Sequence, residues 1–150
     1  MKLRKLIEEY IEKAKLMQVA TSRNNRPWAC SVYFAYDDKW NLYWISLSSA
    51  RHSKEIEKNK KVAGTIVLPH KHGDEVRGLQ FEGVAKVLKS KNEISSAMEY
   101  YAKRFGVSGK RVKAIIENTD GHLCYVVRPK SFVLFDTLNY PNDSRQEYKL

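Results

Sequence analysis

The segment SLSSARH, from Ser46 to His52, places hydroxyl groups and two basic side chains directly after a strand-like apolar run, LYWI. Ser49 can cap a helix that runs to about Asn59, and a helix start offers unpaired backbone N–H groups and a positive dipole end. Arg51 and His52 fall in the first turn, where the dipole favours acidic residues, so a compensating anion such as phosphate is predicted there. The alternative is an ordinary charged surface helix.

The sequence contains no self-sufficient catalytic motif. The nucleophile elbow, the phosphate-binding loop of nucleotide hydrolases, the paired-histidine zinc motif and the dinucleotide fingerprint are all absent. His70 and His72 lie two residues apart but lack a third ligand at a predictable spacing, so we interpret them as exposed loop residues and predict no metal site. Cys30 lies in the middle of a strand-like run, where a free cysteine is commonly a small buried hydrophobe. Any enzymatic chemistry would therefore depend on a cofactor.

Short strands separated by turn residues must position the predicted anion site. An amphipathic helix over about residues 2 to 16 precedes them. The asparagines of RNNRP predict a hairpin turn, and WACSVYFAYD is apolar on both faces, which indicates a strand buried on each side. Gly83 is a candidate for a bulge or bend in a long strand. The predicted strands are QVATS, WACSVYFAYD, LYWISL, VAGTIVL, GLQFEGVAKVL, LCYVVR and SFVLFD.

Two helical segments and a polar end complete the pattern. Ser90 and Glu93 form a capping box that predicts a helix ending at Gly106, and a shorter helix follows around Val112. LCYVVR and SFVLFD are interpreted as two paired strands around Pro129, and the last twelve residues as a polar tail. The fold class predicted from this order is α+β (mainly β), an antiparallel β-barrel with flanking helices, in a single domain over residues 1–150.

The overall charge indicates an anionic partner without identifying it. Lys and Arg number 27 against 17 Asp and Glu, a formal net charge of +10. Nucleic acid, a membrane surface and a phosphorylated small molecule are all compatible with that balance. The lysines are spread over helices and turns, so a solvated cationic surface is favoured over a nucleic-acid platform. Two isolated cysteines, no secretory pattern and no apolar run of about 18 residues predict a cytoplasmic protein.

The order of these segments resembles a known family. ARHSKEIEKN after a strand, GLQFEGVAKVL as a long strand and SFVLFDT as a closing strand resemble the FMN-binding split-barrel proteins, the pyridoxamine 5′-phosphate oxidase-like superfamily. The resemblance covers roughly residues 3 to 138 and is strongest for the small prokaryotic branch. It implies a split barrel that binds FMN at the interface of a homodimer.

The same resemblance implies roles for particular residues. It implies that Arg51 and His52 bind the cofactor phosphate, with His52 in place of the family's usual lysine, and that Ser46 beside Ile45 and Ser49 contribute there. The strand along the flavin ring falls on Cys30, Ser31, Val32 and Tyr33, and a polar residue at the edge of the ring falls on Gln80. The arginine-rich C-terminal motif of the pyridoxamine phosphate oxidases has no counterpart in FDTLNYPNDSRQEYKL.

The function expected from the sequence is therefore that of an FMN-binding flavoprotein, an oxidoreductase whose substrate is a small molecule not identified by the sequence. Two alternatives remain open. One is a nonenzymatic protein that holds flavin, haem or deazaflavin in the same groove, and the other is a nucleic-acid-binding barrel.

Overall fold

The computed structural model describes all residues from Met1 to Leu150. It contains four helices and eight strands, which form one antiparallel sheet curled into a split barrel, as the sequence predicted. In chain order the elements are α1 Lys2–Lys13, β1 Leu16–Arg23, β2 Arg26–Tyr33, β3 Ala35–Tyr36, β4 Leu42–Leu47, α2 Arg51–Lys58, β5 Lys61–Val67, β6 Arg77–Val87, α3 Lys91–Phe105, α4 Gly109–Glu117, β7 His122–Asp136 and β8 Arg145–Lys149.

The sheet follows the order β2-β1-β5-β6-β7-β4-β3, and β8 pairs with the second half of β7. Buried apolar side chains of β1, β4, β5, β6 and β7 meet inside the barrel in a cluster of 21 residues, which also includes residues of α1 and α2. Ile7, Tyr10 and Ile11 of α1 have no exposed surface and close the barrel interior. A second cluster of seven residues lies beneath α3 and α4. No helix has both the length and the apolar composition that a membrane crossing requires.

Local sequence signals set several element boundaries as predicted. Asn24 and Asn25 both have positive φ, 51° and 61°, which is the conformation that a two-residue hairpin turn needs. The Ser90 side chain accepts a hydrogen bond from the Glu93 backbone N–H and caps α3, and Gly106 ends that helix in the left-handed conformation. The pairing of β6 with β7 shifts register between Glu82 and Gly83, which confirms the bulge at Gly83.

Three sequence interpretations of the strands were wrong. WACSVYFAYD is not one strand, because the chain leaves β1 at Phe34, whose side chain enters the core, and continues as β3 beside β4. Nor is it buried on each side, since β2 is an edge strand with most of its residues exposed in the single chain. The two strands predicted around Pro129 are a single strand, β7, which bends at the bulge.

The C-terminal segment, interpreted as a polar tail, instead contains β8. Its alternating residues Gln146 and Tyr148 are half-buried, and Tyr148 lies against the ring of Trp40 with 5.6 Å between ring centroids. The alternation was too short and too polar to stand out in the sequence. Pairing with β7 supplies the backbone hydrogen bonds that make it a strand.

Candidate functional site

The candidate site lies at the N terminus of α2, which follows β4 after a short turn. Ala50, not Ser49, is the residue that precedes the helix, and no side chain caps its first N–H groups. The predicted capping role of Ser49 is therefore wrong, because the helix begins one residue later and Ser49 lies exposed in the turn. The first turn contains no acidic residue. An uncapped helix end of this kind is a suitable position for an anion.

Arg51 is held in a fixed position at this helix end. Its Nε donates to Glu55 Oε2 at 2.9 Å, and its guanidinium lies over the ring of Trp28, 4.2 Å from the ring centroid. The two Nη groups have no acceptor within the chain. The orientation of Arg51 is therefore already set within the chain, while its two terminal Nη groups remain available as donors to a ligand.

Glu55 is the residue that anchors Arg51. It is 5% exposed and also accepts a hydrogen bond from Thr21 Oγ1 on β1 at 3.0 Å. Hydrogen bonds from Arg51 and then from Thr21 hold the pKa of the Glu55 carboxyl below its usual value, although burial opposes them. The carboxylate is thus fully engaged, and it positions the arginine rather than facing the solvent.

His52 turns back towards β4. Its Nε2 lies 2.7 Å from Ser46 Oγ, and Ser46 is buried at the end of that strand. Burial lowers the pKa of His52, and the negative charge of Glu55 opposes this effect only in part. His52 is therefore a neutral hydrogen-bonding group at neutral pH, whereas a lysine at this position would carry a permanent charge.

An open cavity of about 480 Å³ lies in front of this helix end. No apolar side chain lines it, and four of its lining side chains are cationic against a single carboxylate, Glu55. The cations are Arg23, Arg26, Arg51 and Lys54. A cavity with this lining suits an anion and not an apolar ligand.

The remaining predicted site residues of β2, β4 and β6 do not line this cavity. Cys30 and Val32 of β2 pack against the barrel core, and burial raises the pKa of the Cys30 thiol, so Cys30 is not a thiolate. Ile45 faces the cluster beneath α3 and α4. None of these three residues lines the cavity in front of α2.

Ser31, Tyr33 and Gln80 lie on the outward face of the sheet. A row of polar side chains crosses this face, in which Thr65 Oγ1 donates to Gln18 Oε1 at 2.8 Å and Gln18 Nε2 donates to Ser31 Oγ at 3.4 Å. Gln80 continues the row opposite Thr65 and accepts from Arg145 Nη1 at 3.4 Å. Within one chain, this row is on a different face of the sheet from the buried residues of β1 that adjoin α2.

Sequence reasoning missed four residues that line the cavity or support Arg51 within it. Glu55 was detectable, because it stands four residues after Arg51 on the same helix face. Trp28, Arg23 and Arg26 carry no such signal, since they reach α2 only through the pairing of β1 with β2 and the packing of α2 on β1.

Comparison with known proteins agrees with this fold. The family model of pyridoxamine 5′-phosphate oxidase matches residues 3–122, and the chain belongs to that family. The UPF0306 protein of Pasteurella multocida is 36% identical over 89 residues, which are 59% of this chain and 60% of that protein. The match thus spans less than two thirds of that relative's length.

Solved structures share the architecture at low sequence identity. The haem storage protein HutZ of Vibrio cholerae superposes with a TM-score of 0.70 at 19% identity, over 86% of this chain and 91% of that one. A haem-binding protein of Mycobacterium smegmatis gives a TM-score of 0.74 at 15% identity, over 96% of this chain and 57% of that one. These likenesses establish the split-barrel fold.

Proposed function

We propose that this protein binds FMN with its phosphate at the N terminus of α2 and acts as an FMN-dependent oxidoreductase on a small molecule. The observation that carries the proposal is the state of Arg51. Its guanidinium is oriented by Glu55 and Trp28, while both Nη groups remain without an acceptor at an uncapped helix end. A phosphate would accept hydrogen bonds from these groups and from the backbone N–H groups of the first turn.

The side chains around Arg51 fit the same ligand. His52 and Ser46 form a neutral hydrogen-bonded pair behind the phosphate position, and the exposed Ser49 hydroxyl offers a further donor. Bound FMN would supply hydride-transfer chemistry, and the protein would supply orientation and electrostatics. In this proposal Cys30, Ser31, Val32 and Tyr33 line the flavin ring through their strand, and Gln80 bonds its polar edge.

A homodimer is part of the proposal. The outward face that carries Ser31 and Gln80 also exposes apolar surface, with Tyr33 at 56% and Val67 at 39% exposure. A second copy could cover this surface and bring Gln80 of one chain near Arg51 of the other. Light scattering at micromolar concentration should give twice the chain mass of 17.5 kDa. A monomer both with and without FMN would exclude a site shared between two chains.

The direct test is a pair of titrations with FMN and riboflavin, which differ by the phosphate. Arg51→Ala should weaken FMN binding by roughly 1.5–3 kcal/mol, the range for a hydrogen bond to a charged group, and should affect riboflavin far less. Arg128→Ala, which removes an exposed arginine on β7, is the matched control and should change neither affinity. Equal weakening of both ligands by Arg51→Ala would contradict the phosphate assignment.

Haem binding is the second candidate function. Two structures with this fold are described as haem storage and haem-binding proteins, and the neutral His52 has the protonation state that an iron ligand needs. A haem site would depend on His52 and not on Arg51, so haem titrations of His52→Ala and Arg51→Ala separate the two candidates. A deazaflavin that carries a phosphate group would, in contrast, share the dependence on Arg51.

Nucleic-acid binding is less well supported, because the cations outside the cavity are spread over helices and turns and do not form one continuous platform. Nucleic-acid binding predicts an affinity for oligonucleotides that falls steeply between about 0.05 and 0.2 M salt, whereas the affinity for FMN should change mildly.

Two isolated free cysteines support a cytoplasmic location as part of the proposal.

A further inference from the structure

The β1–β2 hairpin brings two arginines to the cavity in front of α2. Arg23 and Arg26 are directly opposite each other at the end of the hairpin, next to the turn of Asn24 and Asn25. Like charges directly opposite each other on paired strands are destabilising. Neither arginine forms an ion pair with a carboxylate, and neither does Lys54 on α2. The cavity therefore holds three cations that have no ion-pair partner within the chain.

The combined charge of these three cations is larger than the charge of about −2 that one phosphate monoester carries. A phosphate at Arg51 would accept hydrogen bonds from the Nη groups of that residue and from the N–H groups at the start of α2, but the charge of Arg51 is already offset by Glu55. Glu55 cannot balance the others, because its two oxygens are occupied by Arg51 and Thr21. Arg23 lies close enough to contribute to the lowered pKa of Glu55, so the hairpin cations and Arg51 face one another across a single cavity.

We infer that Arg23, Arg26 and Lys54 form a second phosphate subsite next to the one at Arg51. The assignment of the first phosphate to Arg51 rests on the proposed function, and the second subsite extends it. The ligand chemistry is a second phosphate group within reach of the first. It has two sources, the pyrophosphate linkage of a dinucleotide cofactor or the phosphate of a second, phosphorylated ligand that binds beside FMN.

The test uses flavin-free protein and two inorganic probes, phosphate and pyrophosphate. Calorimetric titrations are run in a chelator-containing buffer at about 0.15 M ionic strength, so that metal complexes and nonspecific attraction do not contribute. Pyrophosphate should bind at least about tenfold more tightly than phosphate, as expected for one added charge-assisted contact. The double variant Arg23→Gln/Arg26→Gln should remove most of this preference.

A matched control removes the same charge elsewhere. Lys130→Gln/Lys149→Gln changes two exposed lysines near the C-terminal strand and should keep the preference for pyrophosphate. The hairpin variant should melt at no lower temperature than the wild type without ligand, because a like-charge pair is gone. Pyrophosphate should raise the melting temperatures of the wild type and of the lysine control by more than that of the hairpin variant. Equal affinities of the wild type for the two probes, or an equal loss in both double variants, would overturn the inference.

Further titrations identify the source of the second phosphate. Tighter binding of flavin adenine dinucleotide than of FMN, lost in Arg23→Gln/Arg26→Gln, supports a dinucleotide cofactor. Equal binding of the two flavins, with pyrophosphate still bound by FMN-loaded protein, supports a second phosphorylated ligand. The comparison of FMN with riboflavin in Arg51→Ala tests the proposed function separately, because the pyrophosphate titrations contain no flavin.

Discussion

Two polar regions of this protein differ in whether their charged groups have partners within the chain. At the end of β7, Asp136 has no exposed surface and accepts hydrogen bonds from the Tyr10 hydroxyl, the backbone N–H groups of Leu138 and Asn139, and the Asn139 side chain at 2.7 Å. At the start of α2, by contrast, Arg51 has one carboxylate partner and its neighbours Arg23 and Lys54 have none.

The difference separates a structural cluster from a candidate binding site. Burial would raise the pKa of Asp136, but the hydrogen bonds from Tyr10 and Asn139 outweigh it and hold the pKa below the ordinary value. Every donor there has a partner inside the chain, so no ligand is needed. The cavity at α2 instead combines fixed geometry with unpaired cations, which is the condition for recognising an external anion.

The largest effect should come from breaking the satisfied cluster. Asp136→Ala removes the shared acceptor and leaves the Tyr10 hydroxyl, two backbone N–H groups and the Asn139 amide without it, so we expect the free energy of unfolding to fall by about 3 kcal/mol or more. Chemical denaturation measures this change. Asp143→Ala, at an exposed position nearby, is the control and should have little effect. A similar small effect of both changes would mean that the cluster does not stabilise the fold.

A smaller effect, on FMN affinity, is expected from a substitution that removes a contact of Arg51 but keeps the arginine itself. Trp28→Ala deletes the ring beneath the guanidinium and should weaken FMN binding by about 0.5–1 kcal/mol, the range for an exposed cation–π contact. Trp28→Phe retains an aromatic face and should recover part of the loss. Fluorescence titration with FMN and riboflavin measures both. If riboflavin lost as much affinity as FMN, Trp28 would act on the flavin ring and not through Arg51.

The smallest effect concerns the protonation of His52. Because burial lowers its pKa in the folded chain, His52 contributes stability that is present above its unfolded pKa of about 6.5 and is lost as the pH falls through the folded pKa. A bound phosphate dianion would favour the protonated form instead. FMN affinity should therefore rise roughly two- to fivefold between about pH 8 and 6.5, as for a partly exposed ion pair.

His52→Gln is the comparison that isolates this residue, since the phosphate of FMN titrates equally with both proteins. The variant should lose the rise in FMN affinity and the loss of stability at low pH. His52→Lys should bind FMN more tightly at pH 8, because it restores the charge that histidine lacks there. An unchanged pH profile in His52→Gln would show that His52 does not sense the phosphate.

Local signals in the sequence were sufficient for a large part of the fold and for the helix at whose start we propose the anion site. The turn at Asn24 and Asn25, the cap at Ser90, the end of α3 at Gly106 and the bulge at Gly83 were all predicted. Each depends on the conformational preference of one residue or on a hydrogen bond between residues three apart. The resemblance of ARHSKEIEKN to the family segment predicted an anion-binding site at the N terminus of α2.

The tertiary structure alone decided which of these groups meet. Tyr10 and Asp136 are separated by 126 positions, and Thr21 and Glu55 by 34, so neither pair can be read from a spacing. The same holds for Trp28 beneath Arg51, and for β8, whose short polar alternation becomes a strand only beside β7. A side chain's partner across the sheet depends on strand order and register, which are set by the burial of the whole core and not by neighbouring residues.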